Sequence, residues 1–134
     1  MTKTQTLASS FLEALNQRDF SKLAALVDED VALDTMVGQR TIGAEPMRMA
    51  VAQYFRHFDE QFLDIVLMSD AFGQRIAADV TANGHYRETL AGLSNASGQS
   101  YAIPAVFVFE IEGGAITRIS HYRNTAVFAR VLSA

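Results

Sequence analysis

The sequence has 134 residues, 49% apolar and 19% charged, with a formal charge of −4 from 15 acidic and 11 basic side chains, a globular balance that fits a single domain over residues 1–134. The basic residues are scattered singly, so the cationic stripe of a nucleic-acid binder or an anionic-membrane binder is missing. There is no Cys, which excludes disulfides, thiol nucleophiles and thiolate metal sites, and with no leader-type apolar run over residues 1–10 and no stretch near the roughly 20 apolar residues of a membrane span, a cytoplasmic location is expected.

Leu7, Phe11, Ala14 and Leu15 recur at helical spacing, with Glu13, Gln17 and Arg18 opposite, so the pattern predicts an amphipathic helix over Thr4–Gln17. A second helix follows at once, with Asp19 as its N-cap and Phe20, Leu23, Ala24 and Val27 as its stripe. Val31–Thr35 reads as a short strand and Gly38–Gly43 as a loop. Pro46 suits the first turn of a third helix, where its missing N–H costs nothing. Met47, Ala50, Val51, Tyr54, Phe55 and Phe58 then mark one face of that helix.

After this the period changes from helical to alternating. Phe62–Ser69 is rich in large apolar and β-branched residues. In Arg75–Thr89, Ile76, Ala78, Val80, Ala82 and Tyr86 alternate with Arg75, Asp79, Thr81, Asn83 and His85, the mark of a strand with one dry face. Leu90–Ser100 is a polar loop. Tyr101–Glu112 is a long strand, Gly113-Gly114 a hairpin turn, and Ala115–Thr125 the returning strand. Ala126–Leu132 reads as a last short strand or helical turn.

Helices first and long strands after argue for an α+β fold with a mainly antiparallel sheet. Both faces of Tyr101–Ile111 are apolar: Tyr101, Ile103, Ala105, Phe107 and Phe109 on one, Pro104, Val106 and Val108 on the other. Three helices cover one face. A second copy of the chain is the economical cover for the other, so a homodimer through the sheet is expected.

The segment Phe11-Leu12-Glu13-Ala14-Leu15-Asn16-Gln17-Arg18-Asp19-Phe20, then Asp28-Glu29-Asp30-Val31, then Ile42-Gly43-Ala44-Glu45, resembles the SnoaL-like and ketosteroid isomerase-like proteins of the nuclear transport factor 2-like superfamily. The closing stretch, from Gly98-Gln99-Ser100-Tyr101 through Gly114-Ala115-Ile116-Thr117 to His121-Tyr122-Arg123-Asn124, is similar to limonene epoxide hydrolase. The resemblance implies a cone: a strongly bent mixed, mainly antiparallel sheet packed on three helices and open at one end to a pocket. It also implies isomerase, cyclase, dehydratase, hydrolase or pure binding roles, because one fold hosts many functions. Where ketosteroid isomerases carry a Tyr and two Asp, this chain aligns Phe11, Thr35 and Ala105, with Asp34 one position from the base. Where the epoxide hydrolases carry an Arg and two Asp, it aligns Thr81, Asn83 and His121. Neither catalytic set is complete.

Two candidates for acid–base chemistry remain. His121 stands where the epoxide hydrolase pattern puts an acid, and an imidazole exchanges protons near neutral pH. Its alternative is a strand histidine bound to a backbone carbonyl or exposed at the rim. Asp34 would serve as base or orient His121 if it faced the pocket, and otherwise is a carboxylate before a turn. Thr81, Asn83 and His85 share one strand face, which lines the pocket under the resemblance and faces water under plain alternation. Tyr54, Ile103, Ala105 and Phe107 are the remaining expected pocket residues. His57, at the end of the third helix, reads as a structural cation at a helix C-terminus.

No metal site is expected, because the three His lack helical or alternating ligand spacing, and no cofactor is expected, because glycine-rich nucleotide motifs are missing. The expected ligand is a small apolar cyclic or polyketide-like molecule. The chain is then either a cofactor-free isomerase, cyclase, lyase or hydrolase, or a dimeric binding domain that kept the fold and lost the acids.

Overall fold

A computed structural model describes residues 1–133. The elements run α1 (Lys3–Gln17), α2 (Phe20–Leu26), β1 (Val27–Asp34), β2 (Arg40–Ile42), α3 (Ala44–His57), β3 (Phe58–Ser69), β4 (Arg75–Tyr86), β5 (Ser100–Glu112), β6 (Ala115–Tyr122) and α4 (Thr125–Leu132). The strands form one sheet in the order β2-β1-β6-β5-β4-β3. Every pairing is antiparallel except β1 with β6, so the sheet is mixed. The fold is the expected α+β class, with two elements beyond the sequence reading. β2 lies in the segment read as a loop. α4 takes the helical of the two alternatives read for Ala126–Leu132 and extends it to a full helix, because the Asn124 side chain caps it by accepting from Val127 N at 3.0 Å and Phe128 and Leu132 give it a buried i, i+4 stripe.

Capping explains the helix starts. The Thr2 hydroxyl accepts from Gln5 N at 3.2 Å and the Gln5 amide oxygen accepts from Thr2 N at 3.0 Å, a reciprocal box that opens α1. Asp19 caps α2 by accepting from Lys22 N at 3.1 Å. The end of α1 then fixes the edge strand β3. Asn16 accepts from Phe62 N at 2.8 Å and donates to Phe62 O at 3.0 Å. Arg18 donates to Glu60 O at 2.7 Å and to Leu15 O at 2.8 Å. These bonds satisfy edge groups that would otherwise invite another chain, and they hold residues 60–62 in place.

Alternation assigns the faces. Ile76, Ala78, Val80, Ala82 and Tyr86 of β4 and Tyr101, Ile103, Ala105, Phe107, Phe109 and Ile111 of β5 are buried on the inner face. Phe11 of α1 meets Phe109 edge-on at 5.6 Å. β3 keeps the same phase only as far as Phe62. A register shift between Leu63 and Val66, with Asp64 at φ 53°, swaps its faces thereafter. Among the described residues no helix is long and apolar enough to cross a membrane.

Candidate functional site

A cavity of about 730 Å³ opens between α3, the inner face of the sheet and the loops after β1 and β4, a size within the range of small-molecule sites. Its wall is mostly apolar: Phe11, Leu33, Tyr54, Phe62, Phe107 and Phe128 come from six of the elements that meet there. Val37, Met49 and Leu90 continue the apolar lining to the mouth, where they are partly exposed. Only a few polar side chains reach the wall, among them His121, His57, Gln53 and Thr35. No carboxylate does so among the described residues.

His121 is held from two sides. Its ring stacks on Phe107 at 4.4 Å and 17°, with Phe62 edge-on at 6.2 Å and Tyr54 at 6.4 Å. Its Nε2 lies 2.9 Å from Arg123 Nη2 and 3.2 Å from Arg123 Nε. A guanidinium has donors only, so Nε2 must accept and the ring proton must sit on Nδ1. Burial, and then the positive charge of Arg123, push the imidazolium form of His121 well below its ordinary range. His121 is therefore a neutral imidazole. Its Nδ1–H has no partner among the described residues and is not a sealed orphan, because Thr41 Oγ1 is the one buried unpartnered side-chain atom there.

Arg123 is itself anchored in a closed polar cluster. Its Nη1 and Nη2 donate to the two Glu60 oxygens at 3.0 and 2.9 Å, and both side chains are fully buried. Tyr54 and Tyr101 donate to Glu60 Oε1 at 2.9 and 2.5 Å. Four donors converge on one acceptor-only carboxylate, as a buried charge pair requires. Burial, and then the nearby Glu60 charge, raise the tendency of both phenols to stay protonated, so they remain donors. Phe128 caps the cluster, with the Arg123 guanidinium 4.8 Å from its ring centre. Burial opposes the charge on Arg123 most strongly, and the hydrogen bonds to Glu60 together with the surrounding electrostatic attraction outweigh it.

The structure brings some of the sequence candidates together and separates others. His121, Tyr54 and Phe107 stand in the cavity wall. Ile103 and Ala105 are buried on the inner face but outside that wall. Asp34 is elsewhere. Its neighbours Leu33 and Thr35 line the cavity, and a strand turns alternate residues to opposite faces, so Asp34 points outward. There it accepts from Arg40 Nε and Nη2 at 2.6 and 2.9 Å and from Ser120 Oγ at 2.9 Å. The hydrogen bonds from Arg40 lead in holding its carboxyl at about 2, below the usual carboxylate range. Asp34 therefore neither orients His121 nor sits as a base in the cavity.

Thr81, Asn83 and His85 also lie on the outer face, opposite Pro104, Ala102 and Ser100. Their alternation marks the wet side of β4, the plain reading of that pattern, and they do not line the cavity. Glu60 and Arg123 were missed, although each left a trace. Phe58-x-Glu60-x-Phe62 sets an acid on a dry strand face, and His121-x-Arg123 sets a cation on the same side as the histidine. Starting β3 at Phe62 hid the first. Among the described residues no group of three His, Asp or Glu could hold a metal.

Comparison with known proteins agrees with this architecture. No functionally curated protein matches the sequence significantly. Solved structures do. A protein of Xanthomonas campestris pv. campestris, provisionally named a polyketide cyclase, is 31% identical with a TM-score of 0.94, covering 98% of this chain and 97% of its own. Another of Pseudomonas putida KT2440, under the same provisional name, is 34% identical with a TM-score of 0.91, covering 98% of each chain. An LEH-like epoxide hydrolase of M. tuberculosis shares the fold at 17% identity and a TM-score of 0.73, over 97% of this chain and 84% of its own. The model of the SnoaL-like domain matches residues 8–119, and with the cavity, the sheet order and these relatives in agreement, the chain belongs to the SnoaL-like domain family.

Proposed function

We propose that the cavity takes a small, mostly apolar cyclic or polyketide-like carbonyl compound, and that His121 holds its oxygen during cofactor-free proton transfer: isomerisation, cyclisation, dehydration or hydration. The observation that carries this reading is the tautomer of His121. Arg123 occupies Nε2, which leaves Nδ1–H as a donor in a mostly apolar wall. A fixed neutral N–H stabilises charge that develops on an oxygen more than it stabilises the ground-state carbonyl, which is what lowers a barrier. The provisional names of the relatives at 31% and 34% identity support the substrate class.

The test is a titration with a bicyclic ketone such as 2-tetralone. His121→Phe should weaken binding about tenfold, the worth of roughly 1.4 kcal/mol. Unchanged affinity would remove His121 from the site.

A second reading is a binding domain without catalysis. The lack of a carboxylate in the wall favours it. Tight ketone binding with no proton exchange above buffer would establish it.

We also propose a homodimer through the outer face of the sheet. Leu63, Val66, Met68, Pro104 and Tyr122 are exposed there, with Val106 half-buried, and all four helices lie on the other side or at its edges. Sedimentation at micromolar concentration should give twice the chain mass, and a monomer would refute it.

A further inference from the structure

We propose that His57 is the proton acceptor of this cavity, facing a ligand that His121 holds as a donor; this rests on the reading of the cavity as a carbonyl site. His57 closes α3 and is buried in the cavity wall. Its Nδ1 lies 2.8 Å from the backbone oxygen of Glu88. A carbonyl only accepts, so Nδ1 carries a proton, and in the neutral ring the lone pair is on Nε2. The position is fixed from the backbone as well: Arg87 N and Glu88 N both donate to His57 O, at 2.8 and 3.4 Å. Nε2 has no partner among the described residues and is not a sealed orphan.

The two histidines therefore have opposite senses. The bond to a carbonyl makes His57 an acceptor through Nε2. The bond from a guanidinium makes His121 a donor through Nδ1. Other polar residues of the wall, Thr35, Gln39, Gln53 and Thr125, cannot take up a proton near neutral pH, and Tyr54 is committed to Glu60. A chain of ring contacts joins the two histidines along the wall, His121 to Tyr54 at 6.4 Å, Tyr54 to Phe58 at 5.0 Å and Phe58 to His57 at 6.4 Å. Both rings line the same cavity, so one bound ketone can meet the two of them.

In the step proposed, a C–H bond activated by the carbonyl breaks. Its proton goes to His57 Nε2, giving an imidazolium whose Nδ1–H still bonds Glu88 O. The electron pair moves through the conjugated carbons to the oxygen, where the His121 Nδ1–H holds it. Return of the proton to either end of the enolate regenerates both rings, so no co-reactant is consumed.

The experiment follows exchange of the activated protons of 2-tetralone for deuterium by NMR, beside binding of the same ketone. His57→Asn keeps an N–H where Nδ1 stood and deletes the acceptor. It should bind within about twofold of wild type and lose exchange at least tenfold. Should it melt below assay temperature, His57→Gln gives the same comparison. Full exchange in a folded His57 variant overturns the inference and leaves the carbonyl site standing. Wild-type binding without exchange also overturns it, and favours the binding-domain reading. No binding by wild type overturns the carbonyl site itself, and the inference with it.

Discussion

Gly84 faces Glu60 across the β3–β4 ladder, and a Cβ on Gly84 would lie 2.8 Å from the Tyr101 hydroxyl and 2.7 Å from Asp59 O. The Tyr101–Glu60 hydrogen bond thus runs through space that only glycine leaves open. Gly84→Ala must move either the strand backbone or the phenol. A loss of about 1–3 kcal/mol is expected, the usual cost of overpacking, read from urea denaturation. An unchanged midpoint would mean that the cluster has slack.

The Glu60–Arg123 pair has no water to fall back on. Arg123→Met leaves Glu60 charged and buried, at a cost of about 3–5 kcal/mol. Adding Glu60→Gln should recover part of that loss, because the uncompensated charge is then gone. A double-mutant cycle in urea tests this, and strictly additive costs would contradict the coupling.

His121 contributes a pH dependence of known sign. Its folded value lies well below the ordinary 6.5, so above 6.5 the ring is neutral whether folded or unfolded. Below 6.5 only the unfolded chain takes the proton, and stability falls as pH drops. His121→Phe should remove this part of the slope between pH 6.5 and 5 in thermal melts.

Asp34 has the same sign at lower pH. Its carboxyl moves from 3.8 to about 2 on folding, so its contribution is complete above 3.8 and drains away as pH falls towards 2. Asp34→Asn should be less stable than wild type above pH 3.8, with the gap closing as pH falls towards 2, while binding 2-tetralone like wild type, since the residue lies on the outer face. Weakened binding would place it back in the cavity.

The elements and the face of β5 were legible because apolar spacing is strong there: Tyr101 to Ile111 and Met47 to Phe55 read directly, whereas Phe58, counted on the helix, opens β3. Registers one residue apart were not. Leu33 and Thr35 line the cavity while Asp34 between them does not, and no spacing rule tells which parity is inward until the partner strand is known. On β3 the shift at Asp64 breaks the parity itself. Glu60 and Arg123 went unread because each needs the other, 63 positions away, to be buried. His57 passed for a simple helix-end cation because its partner, a backbone carbonyl on the loop after β4, leaves no mark in the sequence.

Arg123 fixes His121 as a neutral donor into the cavity. Nitrogen-15 NMR of the histidine side chains at neutral pH measures this directly. The account predicts a protonated Nδ1 and a bare Nε2 for His121. A protonated Nε2, or both nitrogens protonated, would contradict it.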